Sequence, residues 1–378
     1  MNNVFRKVAV AAAAMGTVGV LAFGGQAAVA DPLPFPTYVG VGSDTTQDVM
    51  NGISDVLAPL VGSYNATGTP YIQTRSGGPE FTRPNGSGNG VKALAASIVG
   101  GNSYNSVLVG GVPTTGNIAG QVDFARSSSG PANNGAALTY LPFAKDAVTY
   151  ATRTLSTIPD NIPLRNSSPS DTSSLTLENI YSCRTPLLDA ATSISYSVGS
   201  DSVNTAAIQP LIPQSGSGTR SYFIGQIGLT EATLGACVSS RSNGVQEHDG
   251  TALTKNANIV PFSIAQYVAQ SNGVVASRLG AAVVKEIDGV EPTEGVVPDL
   301  TTNADFPVTR DVYNVVESAR ITPGNVKYDA TLTSIFVRTS TTPPSVCQQT
   351  PTIVQYGFIP IGVNCGVIAG TAALPTLP

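Results

Sequence analysis

Apolar and polar positions recur along this chain with one repeated grammar, in which a Gly/Ser-rich turn opens an amphipathic helix. The strand-like run Thr37 to Val41 leads into GSDTT, after which Val49, Ile53, Val56, Leu57 and Leu60 recur at helical spacing. A second turn, GSGNG from Gly86, precedes Val91, Leu94, Ala95 and Ile98 on one helical face. The third, QSGSGT from Gln214, follows the apolar run Ala207 to Ile212 and opens a helix carrying Phe223 and Ile227. Further strands are predicted at Gln121 to Ala125, Ala147 to Ala151, Asn258 to Phe262, Ala281 to Lys285 and Val308 to Val316. Strands alternating with helices predict an α/β fold. The stretch Asp160 to Ser174, rich in Ser, Pro, Asn and Asp, reads as a loop.

The N-terminus changes the compartment. Arg6 and Lys7 precede an apolar run from Val8 to Phe23, and Ala28, Val29 and Ala30 form a small-residue cleavage site before Asp31, so residues 1–30 read as a secretory signal. Glycines at 16, 19, 24 and 25 interrupt that stretch, which is short for a membrane span. The first cysteine is Cys183, so no lipid anchor follows the cleavage site and a secreted, extracellular protein is expected. Export and an even count make Cys183, Cys237, Cys347 and Cys365 two expected disulfides. Proximity in sequence would pair Cys183 with Cys237 and Cys347 with Cys365, though other pairings remain open. A four-cysteine zinc site would need close CxxC pairs, which the sequence lacks.

Charge excludes one class of partner. The leader holds two of the 19 Lys and Arg residues and none of the 24 Asp and Glu residues, so the mature chain carries a formal charge of −7. No basic stripe is present to neutralise phosphates, so nucleic acid is not expected as a partner. The motifs GxxxxGK[ST], HExxH and GxGxxG are absent, and no nucleotide, zinc or redox cofactor is implied.

The turns themselves suggest what does bind. A helix start leaves backbone N–H groups unpaired and carries roughly half a positive charge. Glycine lets an anion approach that backbone, and Ser or Thr adds a hydroxyl donor. A single such turn is usually an ordinary helix cap. Their order along the chain says more.

GVGSDTT from Gly40, NGSGNG from Asn85, VDFARSSSGP from Val122, LPFAKDAVTY from Leu141 and QSGSGT from Gln214 follow one another here. HDGTAL from His248, IVPFSIAQYVA from Ile259 and FPVTRDVYNVV from Phe306 come after them. In that order the chain resembles the phosphate-binding proteins of ABC transporters, from about Val39 to Phe358. The resemblance implies a periplasmic-binding-protein-like α/β fold with two lobes, two crossovers and a central ligand cleft. Lobe one would hold residues 31–143 plus 262–378, and lobe two residues 144–261. It also implies a monomer that captures an inorganic oxyanion, foremost phosphate, delivers it to an ABC permease and catalyses nothing.

Carried over by position, Ser43, Asp44 and Thr45 would supply the first anion-binding turn, Ser87 and Gly88 the second, and Ser217, Gly218 and Thr219 the third. Ser127 and Ser128 fall at the end of the strand beginning at Val122. Two positions depart from the family: its carboxylate falls on Ser128, and its arginine at the head of the third turn falls on Pro213. A carboxylate there accepts the proton of hydrogen phosphate and repels sulfate, so its loss predicts poorer discrimination unless Asp44 substitutes. Asp44 has a second use as a helix cap. The missing cation is expected from Arg126, on a matched strand, in preference to Arg220.

Two rivals remain. A serine hydrolase would use Ser217 with His248 and Asp249, but SGSGT is not a GxSxG elbow. The other is a secreted surface-binding or adhesive module that keeps the fold without transport.

Overall fold

The computed structural model describes residues 31–199, 206–338 and 345–378; the leader read at residues 1–30 lies outside the described residues. One mixed sheet runs through the molecule. Its order is Val61–Ser63, Tyr38–Gly42, Phe124–Ser127, Thr309–Glu317, Leu138–Arg153, Asn258–Ser263, Ala207–Pro210, Ile194–Val198 and Leu187–Asp189. Tyr38–Gly42 pairs in parallel with both of its neighbours, as expected where helices return the chain across a sheet face. A separate four-stranded antiparallel sheet holds Tyr71–Ile72, Phe81–Thr82, Tyr104–Val109 and Val112–Gly116.

Packing divides the sheet. Val49, Met50, Ile53, Phe124, Val312 and Phe336 build a cluster on one face of its first half, and Val41, Phe81, Leu94 and Val315 build another. Tyr150, Tyr181, Ile208, Phe223 and Ile259 centre a third cluster in the second half. The chain crosses between halves along Leu138–Arg153, whose Leu141, Phe143 and Ala144 belong to the first half and whose Ala147, Val148 and Tyr150 belong to the second. It returns along Thr309–Glu317, which pairs antiparallel with that strand over its whole length. Ile264, Val268, Ile287, Phe306 and Val308 pack with the third cluster, whereas Ala265 of the same helix as Ile264 and Val268 joins the first-half cluster with Val49 and Phe124.

The three turn-to-helix units form as helices Gln47–Leu57, Ser87–Val99 and Gly218–Gln226. Val49 and Ile53 are buried, whereas Val56 lies 58% exposed and Leu60 lies beyond the helix end. The disulfides join Cys183 to Cys237 and Cys347 to Cys365.

Candidate functional site

The three turns meet where the halves of the sheet join. Gly42 ends the first strand at φ +120°, and a Cβ there would lie 2.7 Å from the Arg126 carbonyl and 3.0 Å from Gly90 Cα. Only glycine lets the first turn and the second helix pack this closely. The turns also touch across the cleft. The Gly88 N–H donates to the Gly216 carbonyl at 3.0 Å, and Gln214 Nε2 donates to Asn85 Oδ1 at 2.9 Å. Ser87 Oγ accepts from the Ser128 N–H at 3.0 Å and lies 3.2 Å from Ser128 Oγ.

At the centre stands a carboxylate that sequence reading did not single out. Glu247, fully buried, accepts from Thr45 Oγ1 and Thr219 Oγ1 at 2.7 Å each, and from Ser217 Oγ at 3.1 Å. Three hydroxyls from two of the anion-type turns therefore converge on one side chain of the protein itself. Burial alone would raise the Glu247 carboxyl, but the Thr45 and Thr219 hydroxyls and the Arg310 charge outweigh it and hold the group below the ordinary glutamate value. Asp44 moves the opposite way: burial, then the charge of Glu247, push it well above the ordinary aspartate value. The two carboxyls are thus pushed apart, so that the negative charge is favoured on Glu247 over Asp44. Asp44 Oδ2 accepts from Gln214 Nε2 at 3.3 Å, and its side chain caps no helix.

Behind Asp44 lies His248, completely buried, with Nδ1 3.8 Å from Asp44 Oδ2 and no hydrogen bond at either ring nitrogen. Burial, followed by the Arg278 charge, pushes it down to about 4, so it is neutral near pH 7. Ser217 donates to Glu247 and not to this imidazole, so the Ser–His contact of the hydrolase reading is not made.

The cation at the cleft is Arg310, which sequence reading also passed over. It stands opposite Asp146 in the paired crossing strands, and its Nη2 donates to Asp146 Oδ2 at 2.8 Å and to Thr219 Oγ1 at 2.6 Å. Its Nη1 is buried with no partner. Arg126, expected to face the cleft, points beneath the first turn instead. Its guanidinium donates to the carbonyls of Ser43 at 3.2 Å and Gly42 at 3.3 Å and to Ser63 Oγ at 2.8 Å. The physical reason is the parallel pairing of Phe124–Ser127 with Tyr38–Gly42, which sets Arg126 beside Gly42, under carbonyls that need donors. Arg220 is held at the surface by Glu231, at 2.7 and 2.6 Å, and by the Pro213 carbonyl. Ser43 is buried with its hydroxyl unpaired, and Ser127 Oγ closes a local turn on the Ser129 carbonyl at 2.7 Å.

In front of this buried layer opens a cleft of about 510 Å³, whose lining includes Ser128, Ser217, Gly218, Tyr222, Arg310 and Tyr313. The third helix begins at Gly218, so its free N–H groups border this space beside the unpaired Arg310 nitrogen.

With this geometry in view, solved structures offer a comparison. A putative phosphate ABC transporter substrate-binding protein from Clostridium perfringens, solved with bound phosphate, is 14% identical with a TM-score of 0.50, over 86% of this chain and 99% of that one. The fold is periplasmic-binding-protein-like. An ancestral soluble variant of the human phosphate binding protein is 15% identical over 87% of this chain and 91% of its own, with a TM-score of 0.44. PstS from Borrelia burgdorferi is 12% identical over 86% and 98%, with a TM-score of 0.38. No family model and no curated protein matches the sequence. In this fold, the cleft beside the strand Thr309–Glu317 is where the buried charges and the open helix start coincide.

Proposed function

We propose that this chain is an extracellular solute-binding protein that captures an inorganic oxyanion, foremost phosphate, and hands it to a membrane permease without changing it chemically. Two lobes would close over the ligand by bending at the crossing strands. The observation that carries this reading is Arg310: a buried guanidinium nitrogen with no partner, bordering a cleft at the start of a helix. An unpaired buried cationic N–H is costly, and an anion placed there satisfies it. Ser128 and the N–H groups near Gly218 would supply further donors. Arg310 and Asp146 offset each other, so the ionised Glu247 leaves the floor negative and disfavours a second negative charge on the ligand.

Calorimetric titration with phosphate, arsenate and sulfate tests the proposal. Phosphate and arsenate should bind and sulfate should bind more weakly, with Glu247→Gln narrowing the difference. Arg310→Ala should weaken phosphate binding by about 1.5–3 kcal/mol, the scale of a hydrogen bond to a charged group. One feature favours the second reading, a secreted surface-binding module that retains the fold without transport: Glu247 already engages the Thr45, Ser217 and Thr219 hydroxyls. A wild-type protein that bound none of the three ions would select it.

A further inference from the structure

We propose that the cleft takes a phosphate monoester with an aromatic or apolar substituent in preference to the free ion, a refinement that rests on the oxyanion reading above. The inner layer has no room for a ligand. Thr45, Thr219 and Glu247 are completely buried, and even a Cβ added at Gly218 would lie 2.5 Å from both Ser87 Oγ and Ser128 Oγ. Any anion therefore sits in front of this layer, in the open cleft of about 510 Å³. A five-atom oxyanion displaces roughly two or three waters, on the order of 60–90 Å³ at about 30 Å³ each, and so leaves most of that space empty. A small organic ligand matches it better.

The walls say which kind of substituent fits. Polar groups gather at one end, in Ser128, the helix start at Gly218 and the Arg310 guanidinium, whose Nη1 is buried without a partner. Elsewhere Gly130, Ala132, Tyr222 and Tyr313 provide apolar and aromatic surface beside Ser129, Ser221 and Asp311. The Tyr222 hydroxyl is committed to the Thr309 carbonyl at 2.6 Å, so this residue offers the cleft its ring rather than a donor. The Arg310 guanidinium lies over that ring, 5.4 Å from its centroid, so cation and aromatic surface adjoin. A phosphoryl group held in the cleft at the Gly218 helix start, beside the Arg310 charge, thereby brings its substituent towards Tyr222. Asp311 also lines the cleft, with its carboxylate 2.8 Å from Lys145, and it disfavours a second phosphoryl group on the substituent.

Titration of the mature protein with inorganic phosphate, phenyl phosphate and phenol separates the outcomes. Phenyl phosphate should bind at least about ten-fold more tightly than inorganic phosphate, and phenol should not bind measurably. Tyr222→Ala should bring the two phosphates to within about two-fold of each other. Inorganic phosphate binding as tightly as the ester in wild type, or a gap that persists in Tyr222→Ala, overturns this inference and leaves the oxyanion reading standing. Binding of neither phosphate overturns both. The wild-type ratio decides the matter even if the variant fails to fold.

Discussion

His248→Gln removes a buried imidazole whose ring nitrogens make no hydrogen bond. In the folded chain this group titrates near 4, against an ordinary value of 6.5. Between those two values the unfolded chain holds a proton that the folded chain does not, so the group's contribution to stability is present above pH 6.5 and is lost as the pH falls towards 4. At about 1.4 kcal/mol per pH unit, the window amounts to about 3 kcal/mol. The surroundings bear on how this is measured. Asp44, Asp48, Glu247 and Asp249 are the acidic groups around the ring, and Arg278 is the basic one. Asp44, whose folded value is raised, acts in the opposite sense: its contribution grows as the pH falls. The informative quantity is therefore the difference between wild type and His248→Gln, measured by urea unfolding from pH 7.5 to 4. That difference should move in favour of the variant by about 3 kcal/mol on acidification, whatever its value at pH 7.5. Parallel stability profiles would refute the assignment of a buried neutral imidazole.

Three further outcomes are expected. Reducing the disulfides should destabilise the chain by about 3 kcal/mol for the 18-residue separation and about 4 kcal/mol for the 54-residue one, measured by unfolding of single Cys-pair replacements. Arg126→Ala should lower stability by about 2–4 kcal/mol through the unpaired carbonyls it leaves, yet change oxyanion affinity less than Arg310→Ala does; calorimetry beside urea unfolding separates the two effects. Mass spectrometry of the secreted protein should find an N-terminus at Asp31 without lipid.

Local grammar was legible because it is local. The turns at Ser43, Ser87 and Ser217 open helices where the spacing placed them, and the strand predicted at Asn258 to Phe262 forms as Asn258–Ser263. The strand predicted at Ala147 to Ala151 is the later part of a 16-residue strand, since Leu138 to Ala144 is buried too continuously to show a period of two. The two charges that define the site were harder. Arg310 did leave a signal: it shares a strand face with Val312 and Asn314, all three buried, and a cation on an inward-facing register position asks for a reason. Glu247 left none beyond its place beside His248, because its three partners lie 28 to 202 residues away and only the folded chain brings them to it. The side chain of Arg126 lies under the first turn, on Ser43, Gly42 and Ser63, and strand position alone does not say which side of a turn a long side chain will reach.

The doubled crossing also dictates an order of assembly. Residues between the two crossing strands form the second half from one uninterrupted stretch of chain, and that half can begin to pack as soon as its own sequence has been made. The first half cannot. Its sheet has a gap between Phe124–Ser127 and Leu138–Arg153 until Thr309–Glu317 arrives to fill it, and Asp146 waits 164 residues for Arg310. During that interval Phe124–Ser127 is an unpaired edge and Asp146 has no counter-charge, which makes the early-synthesised half the one that needs protection from aggregation. The cleft is completed last, by the strand that carries its cation.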